Sequence, residues 1–230
     1  VSFFLKVKNK PIFREFLPSI ILNKKVTYFN LNENDKKKGL HFLNEIGLKK
    51  SNWFVTLHVR EEKIKSKTED FRNSNPLKYL KAIKKITDMG GYVFRMGDKN
   101  TTKFPKLRNF YDYAHSKYKC ESLDVFLAAQ SKFCIGTPSG FYAMASSFGV
   151  PVLLTNAAQF STYYSLHHND VFLPRLILNK KTNKYLKLKE LFSHPYVWCF
   201  SDDQFEKNQL KTIENSEDDL LLGVEEMIKK

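Results

Sequence analysis

The stretch Trp53-Phe54-Val55-Thr56-Leu57-His58-Val59-Arg60-Glu61-Glu62 decides how this chain is read. It is an apolar, β-branched run that ends in His-x-Arg and two acids. A strand buried on both faces of a parallel sheet reads as such a continuous run and delivers its charged group to the carboxyl edge. In open α/β sheets that edge is where ligands bind. An arginine at a strand end also serves as a solvated or salt-bridged structural residue, so the elements around it have to decide.

Downstream, Glu61 to Asn75 is a polar loop placed to lie over a binding cleft. Pro76 suits the first position of a helix, and Leu77, Leu80, Ala82, Ile83 and Ile86 form its apolar stripe up to Met89-Gly90-Gly91. Tyr92 to Asp98 is the next strand and its exit. Strand, helix and strand make a βαβ unit with a right-handed crossover. Phe110 to Ala114 reads as a third strand, and Ser122 as the cap of a helix through Gln130. Phe133 to Gly136 is a short strand, Ser139 to Phe148 a helix rich in small residues, and Gly149 to Asn156 leads into a fifth strand. The rhythm predicts a Rossmann-like α/β fold over residues 31–230, a parallel sheet flanked by helices.

Upstream, Asn32 or Asn34 caps a helix that Gly47 ends. Residues 1–30 read as the end of a preceding unit or a linking segment. The aromatic-rich stretch 157–200 is expected to pack helices and loops against the sheet, and Glu214 to Lys230 to form a closing helix.

The chain has 230 residues and a formal charge of +14, which suits an anionic partner such as a phosphorylated substrate, a membrane surface or nucleic acid. The lysines are scattered over the whole length, which reads as a solvated basic surface and not as a focused nucleic-acid stripe. Three cysteines, Cys120, Cys134 and Cys199, lie far apart without a Cys-x-x-Cys pair. That argues against a disulfide framework or a structural zinc site and fits a reducing compartment. No stretch reaches the roughly 18 apolar residues of a membrane-spanning helix. The chain starts without a methionine, so an excerpt of a longer protein is expected.

Gly136-Thr137-Pro138-Ser139-Gly140, between a strand and a helix, is the strongest local signal. Gly136 allows a close backbone approach, and Ser139 and Gly140 present N–H groups at a helix N-terminus, where the dipole attracts a phosphate or diphosphate. The turn is neither a Walker loop nor Gly-x-Gly-x-x-Gly. An ordinary turn with Ser139 as the cap fits the same residues. Arg60 and this turn lie at carboxyl ends of strands in one sheet, so they converge on one diphosphate, to which Arg60 offers a bidentate fork. His58 points either into that cleft or into the core. Arg95 and Asp98 either meet a base or ribose or pair with each other, and Asp124 is either a ligand contact or a dipole-stabilising acid at its helix start. His167-His168 lacks a partner at zinc-site spacing, and no Asp-x-Asp holds a metal. No metal and no cofactor are expected.

Leu57-His58-Val59-Arg60, Phe71-Arg72-Asn73, Gly90 to Asp98, Tyr111-Asp112-Tyr113, Asp124 to Leu127, Ile135 to Gly140 and Phe148 to Pro151 together resemble a bacterial family of glycosyltransferases over about residues 32–195. The layout is similar, more distantly, to the nucleotide-binding half of GT-B fucosyltransferases. The resemblance implies metal-independent, inverting transfer from a nucleoside-diphosphate sugar, a GDP-sugar favoured, to a glycan or other acceptor. It makes Arg60 catalytic, with Arg60, Thr137, Ser139 and Gly140 on the diphosphate, while Glu61 is expected to be catalytic by its position alone. Arg95, Gly97, Asp98 and Asp124 would lie near the nucleoside, and His58 and Arg72 would support the site. Glu61, Glu62 and Asp70 are candidate acceptor bases by position. A GT-B enzyme has an N-terminal acceptor domain, for which residues 1–50 are too few. A cytoplasmic location is expected, with peripheral contact at the inner membrane face. The alternatives are a non-catalytic module binding nucleotides or sugar phosphates, and a basic nucleic-acid-binding protein.

Overall fold

A computed structural model of the chain describes residues 27–61, 70–159 and 169–230. Expectations for residues 1–26, Glu62, Phe160, Tyr163, Tyr164 and the His167-His168 pair lie outside the described residues. The main sheet has six strands, all parallel: β1 (Phe54–His58), β2 (Tyr92–Met96), β3 (Phe110–Tyr111), β4 (Cys134–Gly136), β5 (Val152–Ala157) and β6 (Val171–Pro174). Their order is β3-β2-β1-β4-β5-β6. The order reverses between β1 and β4, and a crevice opens at the carboxyl ends of strands at such a switch point.

Helices cover both faces. On one face α2 (Leu80–Asp88) packs with α7 (Glu217–Lys229); on the other lie α1 (Glu33–Glu45), α3 (Glu121–Gln130) and α4 (Gly140–Ser147). Strand alternation divides the core accordingly. Val55, Leu57, Val93, Ile135 and Leu153 join Ile83, Ile86, Val224 and Met227, while Phe54, Phe94 and Met96 join Phe42, Phe126 and Leu127. Because β1 is buried on both sides, its sequence shows no polar alternation.

Local signals account for the ends of these elements. The Asn32 side chain accepts from the Asp35 N–H at 2.8 Å, and Ser216 and Asp219 form a capping box at the start of α7. The helix predicted from Pro76 begins as a 3₁₀ turn, Pro76–Tyr79, before α2. Two expectations are corrected. Ser122 does not cap α3; Cys120 occupies that position without a side-chain cap, and the third strand stops at Tyr111, before a 3₁₀ turn over Tyr113–His115.

The stretch beyond 157 departs most from expectation. It supplies the sixth parallel strand and then an antiparallel three-stranded sheet in the order β8-β7-β9, from β7 (Leu176–Asn179), β8 (Lys184–Tyr185) and β9 (Leu210–Ile213). With α5 (Leu188–Leu191) and α6 (Asp202–Lys207) this unit has its own apolar cluster of Phe71, Ala158, Ile177, Leu191, Cys199, Phe205 and Leu210. Phe71 links it to the loop after β1.

Candidate functional site

His58 and Gly136 are register partners at the ends of β1 and β4, so the two candidate loops leave the sheet side by side at the switch point. They interlock. The Thr137 N–H donates to the His58 carbonyl at 3.2 Å, and the Thr137 hydroxyl accepts from the Arg60 N–H at 2.8 Å. Thr137 is fully buried, so its hydroxyl acts as a strut between the loops.

Ser139 occupies the N-cap of α4 in extended conformation, yet its side chain makes no cap hydrogen bond. The hydroxyl lies instead 3.1 Å from His58 Nδ1. The imidazole stacks on Phe141, ring centroids 5.3 Å apart at 13°. Burial, reinforced by the nearby Arg95 charge, lowers the His58 pKa from 6.5 to about 4, so the ring is neutral at physiological pH. A cap side chain diverted in this way leaves the first turn of α4 to satisfy its N–H groups elsewhere, the arrangement that anions exploit.

The two glycines of the turn do different jobs. A Cβ on Gly136 would sit 2.9 Å from Tyr142 Cβ, so this glycine makes room for the helix that follows and not for a ligand. A Cβ on Gly140 would meet nothing within 4 Å, and Gly140 is exposed at the start of α4.

Arg60 is half-buried, and its Nε donates to Asn73 Oδ1 at 3.2 Å. Arg72 reaches the other loop, with Nη2 donating to the Pro138 carbonyl at 2.9 Å. The short segment 70–74 therefore touches both sides of the crevice.

The acid and the second arginine are placed elsewhere. Arg95 is wholly buried and pairs with Glu61, not with Asp98. The other Glu61 oxygen accepts from the Thr102 N–H at 2.8 Å. Both carboxylate oxygens are thus engaged, one with β2 and one with the loop after it, and a guanidinium with no exposed surface presents nothing to a nucleoside. Gly97 is required here, because its φ of 138° is left-handed and a Cβ would lie 2.4 Å from Arg95 Nη1. Asp98 is exposed, and its carbonyl accepts from the Thr101 N–H. Asp124 sits in the first turn of α3 and pairs with Lys119.

Two features had no sequence signal. An open cleft of about 630 Å³ follows β2, lined by Lys99, Asn100, Thr101, Thr102, Lys103 and His115. His115 braces it, with Nδ1 at 2.9 Å from Asp112 Oδ2 and Nε2 at 3.2 Å from the Thr101 carbonyl. Arg175, between β6 and β7, is buried beneath the 70–74 segment. Among the described residues no group of three or more His, Cys, Asp or Glu side chains is placed to hold a metal ion, and no helix is long and apolar enough to cross a membrane.

Solved glycosyltransferase structures share this architecture. The glycosyl transferase family 9 structure from Veillonella parvula DSM 2008 matches with a TM-score of 0.58 at 10% identity, over 88% of this chain and 54% of that one. The E. coli ADP-heptose lps heptosyltransferase II structure matches with a TM-score of 0.54 at 12% identity, over 87% and 53%. The shared property is the fold. The chain spans about half the length of these structures. No protein-family model and no curated protein matches the sequence.

Proposed function

We propose that the β1/β4 crevice binds the diphosphate of a nucleoside-diphosphate sugar, and that the chain is the donor-binding part of a metal-independent, inverting glycosyltransferase. The observation that carries this reading is the convergence of Arg60, Ser139 and the uncapped start of α4 at the switch point of a parallel sheet. Likeness of fold to the two glycosyltransferase structures supports it.

In the proposed reaction the bond between the sugar anomeric carbon and the diphosphate oxygen breaks while an acceptor hydroxyl, on a glycan or another acceptor, forms the new one. The acceptor proton passes to a base, and the negative charge of the departing nucleoside diphosphate is met by Arg60 and the α4 N–H groups. Stabilising charge on a leaving group from a preorganised site is a large catalytic contribution. Glu61 is not assigned the base, since Arg95 and the Thr102 N–H already hold its carboxylate. The neutral His58 orients Ser139. The donor named for one structural neighbour is ADP-heptose and not a GDP-sugar, so the base and a fucosyltransferase-like subtype stay open.

The test is calorimetric titration with ADP, GDP and UDP in EDTA, followed by a nucleotide-sugar panel scored for turnover. Charge-assisted hydrogen bonds of about 1.5–3 kcal/mol predict that Arg60→Ala weakens the best diphosphate about 10- to 100-fold. Binding of no nucleoside diphosphate would refute the proposal. Binding without turnover on any donor would reduce it to a nucleotide-binding module.

A further inference from the structure

We propose that Arg175 is a positioning residue for Arg60: it fixes the Asn73–Ser74 peptide, and through Asn73 it sets the direction of the guanidinium that faces the diphosphate. The inference rests on the diphosphate site argued above and assigns a purpose to the small antiparallel sheet, which that reading leaves without one.

The chain of contacts is short. Arg175 is 4% exposed and lies in the strap between β6 and β7. Its Nη2 donates to the Asn73 carbonyl and, at 3.1 Å, to the Ser74 hydroxyl. Its Nε donates to the Asn156 carbonyl at 3.1 Å, and its Nη1 to the Thr212 hydroxyl on β9 at 3.3 Å. One planar group therefore ties the end of β5, the small sheet and the 73–74 peptide together. Lysine, with a single nitrogen on a flexible stem, reproduces no such three-way geometry.

The held peptide then holds Arg60 twice. The Ser74 N–H donates to the Arg60 carbonyl at 2.9 Å, and Asn73 Oδ1 accepts from Arg60 Nε at 3.2 Å. A contact on Nε orients the whole guanidinium plane, because the group is rigid beyond that atom. The far end of the segment is also anchored from the small unit. The Asp202 carboxylate, at the start of α6, accepts from the Asp70 N–H at 2.6 Å and the Phe71 N–H at 2.9 Å. With donors and acceptors of the segment clamped from behind, its side chains reach forward to the crevice at fixed positions. Arg175 is buried and grips the Asn73 carbonyl, so its effect on a diphosphate at Arg60 passes through Asn73.

The test is a double-mutant cycle read by calorimetry with three probes, ADP, inorganic pyrophosphate and adenosine, alongside thermal unfolding. Arg175→Lys keeps the charge and loses the fork; Asn73→Ala keeps the carbonyl that Arg175 grips and removes the link to Arg60, together with the Nδ2 hydrogen bond to Asp70 Oδ1 at 3.1 Å. Misplacement of a charge-assisted contact predicts that each weakens ADP and pyrophosphate about tenfold and leaves adenosine unchanged. On an Arg60→Ala background neither change should weaken binding further, since residues acting through one group are not additive. Effects that add on that background, or that fall equally on adenosine, would overturn the inference and leave the diphosphate site standing. If Arg175→Lys does not fold, Asn73→Ala decides by the same criteria. An Arg60→Ala protein that binds ADP as well as the wild type would overturn the site itself and the inference with it.

Discussion

Mild acid should destabilise this protein through His58. Its ring is stacked on Phe141, lies 3.1 Å from the Ser139 hydroxyl and is near the buried Arg95 charge, and its pKa is lowered to about 4 from 6.5. The unfolded chain therefore binds a proton between these values that the folded chain refuses. Stability is fully present above the unfolded value and is lost as the pH falls toward the folded one. Working the linkage at pH 5, an unfolded His58 is nearly all protonated and a folded one about one-tenth, which corresponds to about 2 kcal/mol. The assay is urea unfolding of wild type and His58→Asn at pH 7 and pH 5. Every other titrating group is common to both proteins, so the difference between their losses isolates His58. Wild type should lose about 2 kcal/mol more than the variant between the two pH values. Equal losses, or a His58 ring that titrates near its ordinary value by NMR, would refute the reasoning.

Two further outcomes separate structural from ligand-facing roles. Glu61→Ala leaves the Arg95 guanidinium buried without its counter-charge and should cost about 3–5 kcal/mol in chemical denaturation; full stability with lost turnover would instead mark Glu61 as a base. Gly140→Ala adds a methyl group where nothing lies within 4 Å, so its thermal midpoint should hardly move; should ADP titration show a loss of about 1.4 kcal/mol, tenfold in affinity, a diphosphate packs against that backbone, and unchanged affinity would place it elsewhere.

The sequence made the main sheet legible for a definite reason. β1 and β2 are short apolar runs bounded by turn residues, and each precedes or follows a helix with a clear stripe. Beyond residue 157 this failed. Leu176 to Asn179 and Leu210 to Ile213 are four-residue strands, too short to show a period, and their partners lie more than thirty positions apart along the chain, beyond any local pattern. The aromatic residues there suggested packing against the sheet, yet Phe172, Tyr185, Phe192 and Trp198 are exposed, and the small unit closes instead on its own cluster around Ile177, Leu191, Phe205 and Leu210.

The site divides along the same line. Residue type and position within β1 and the Gly136–Gly140 turn were enough to bring His58, Arg60 and Ser139 to one sheet edge, because a parallel sheet with short loops leaves strand ends nowhere else to go. Which polar groups pair is set by distances across the fold. Arg95 was open to a nucleoside or to Asp98, and the fold gives it a third partner, Glu61, in a buried pair. Ser139 had the sequence of a helix cap, and the nearness of His58 turns its hydroxyl away. Gly136 looked like space for a phosphate, and the space is taken by Tyr142. Arg175 carried no signal at all, since its acceptors are main-chain carbonyls and hydroxyls that meet only after the small sheet has closed. Local pattern thus determined which strands form and which residues end them. The strength and direction of each charge depended on what tertiary packing placed beside it.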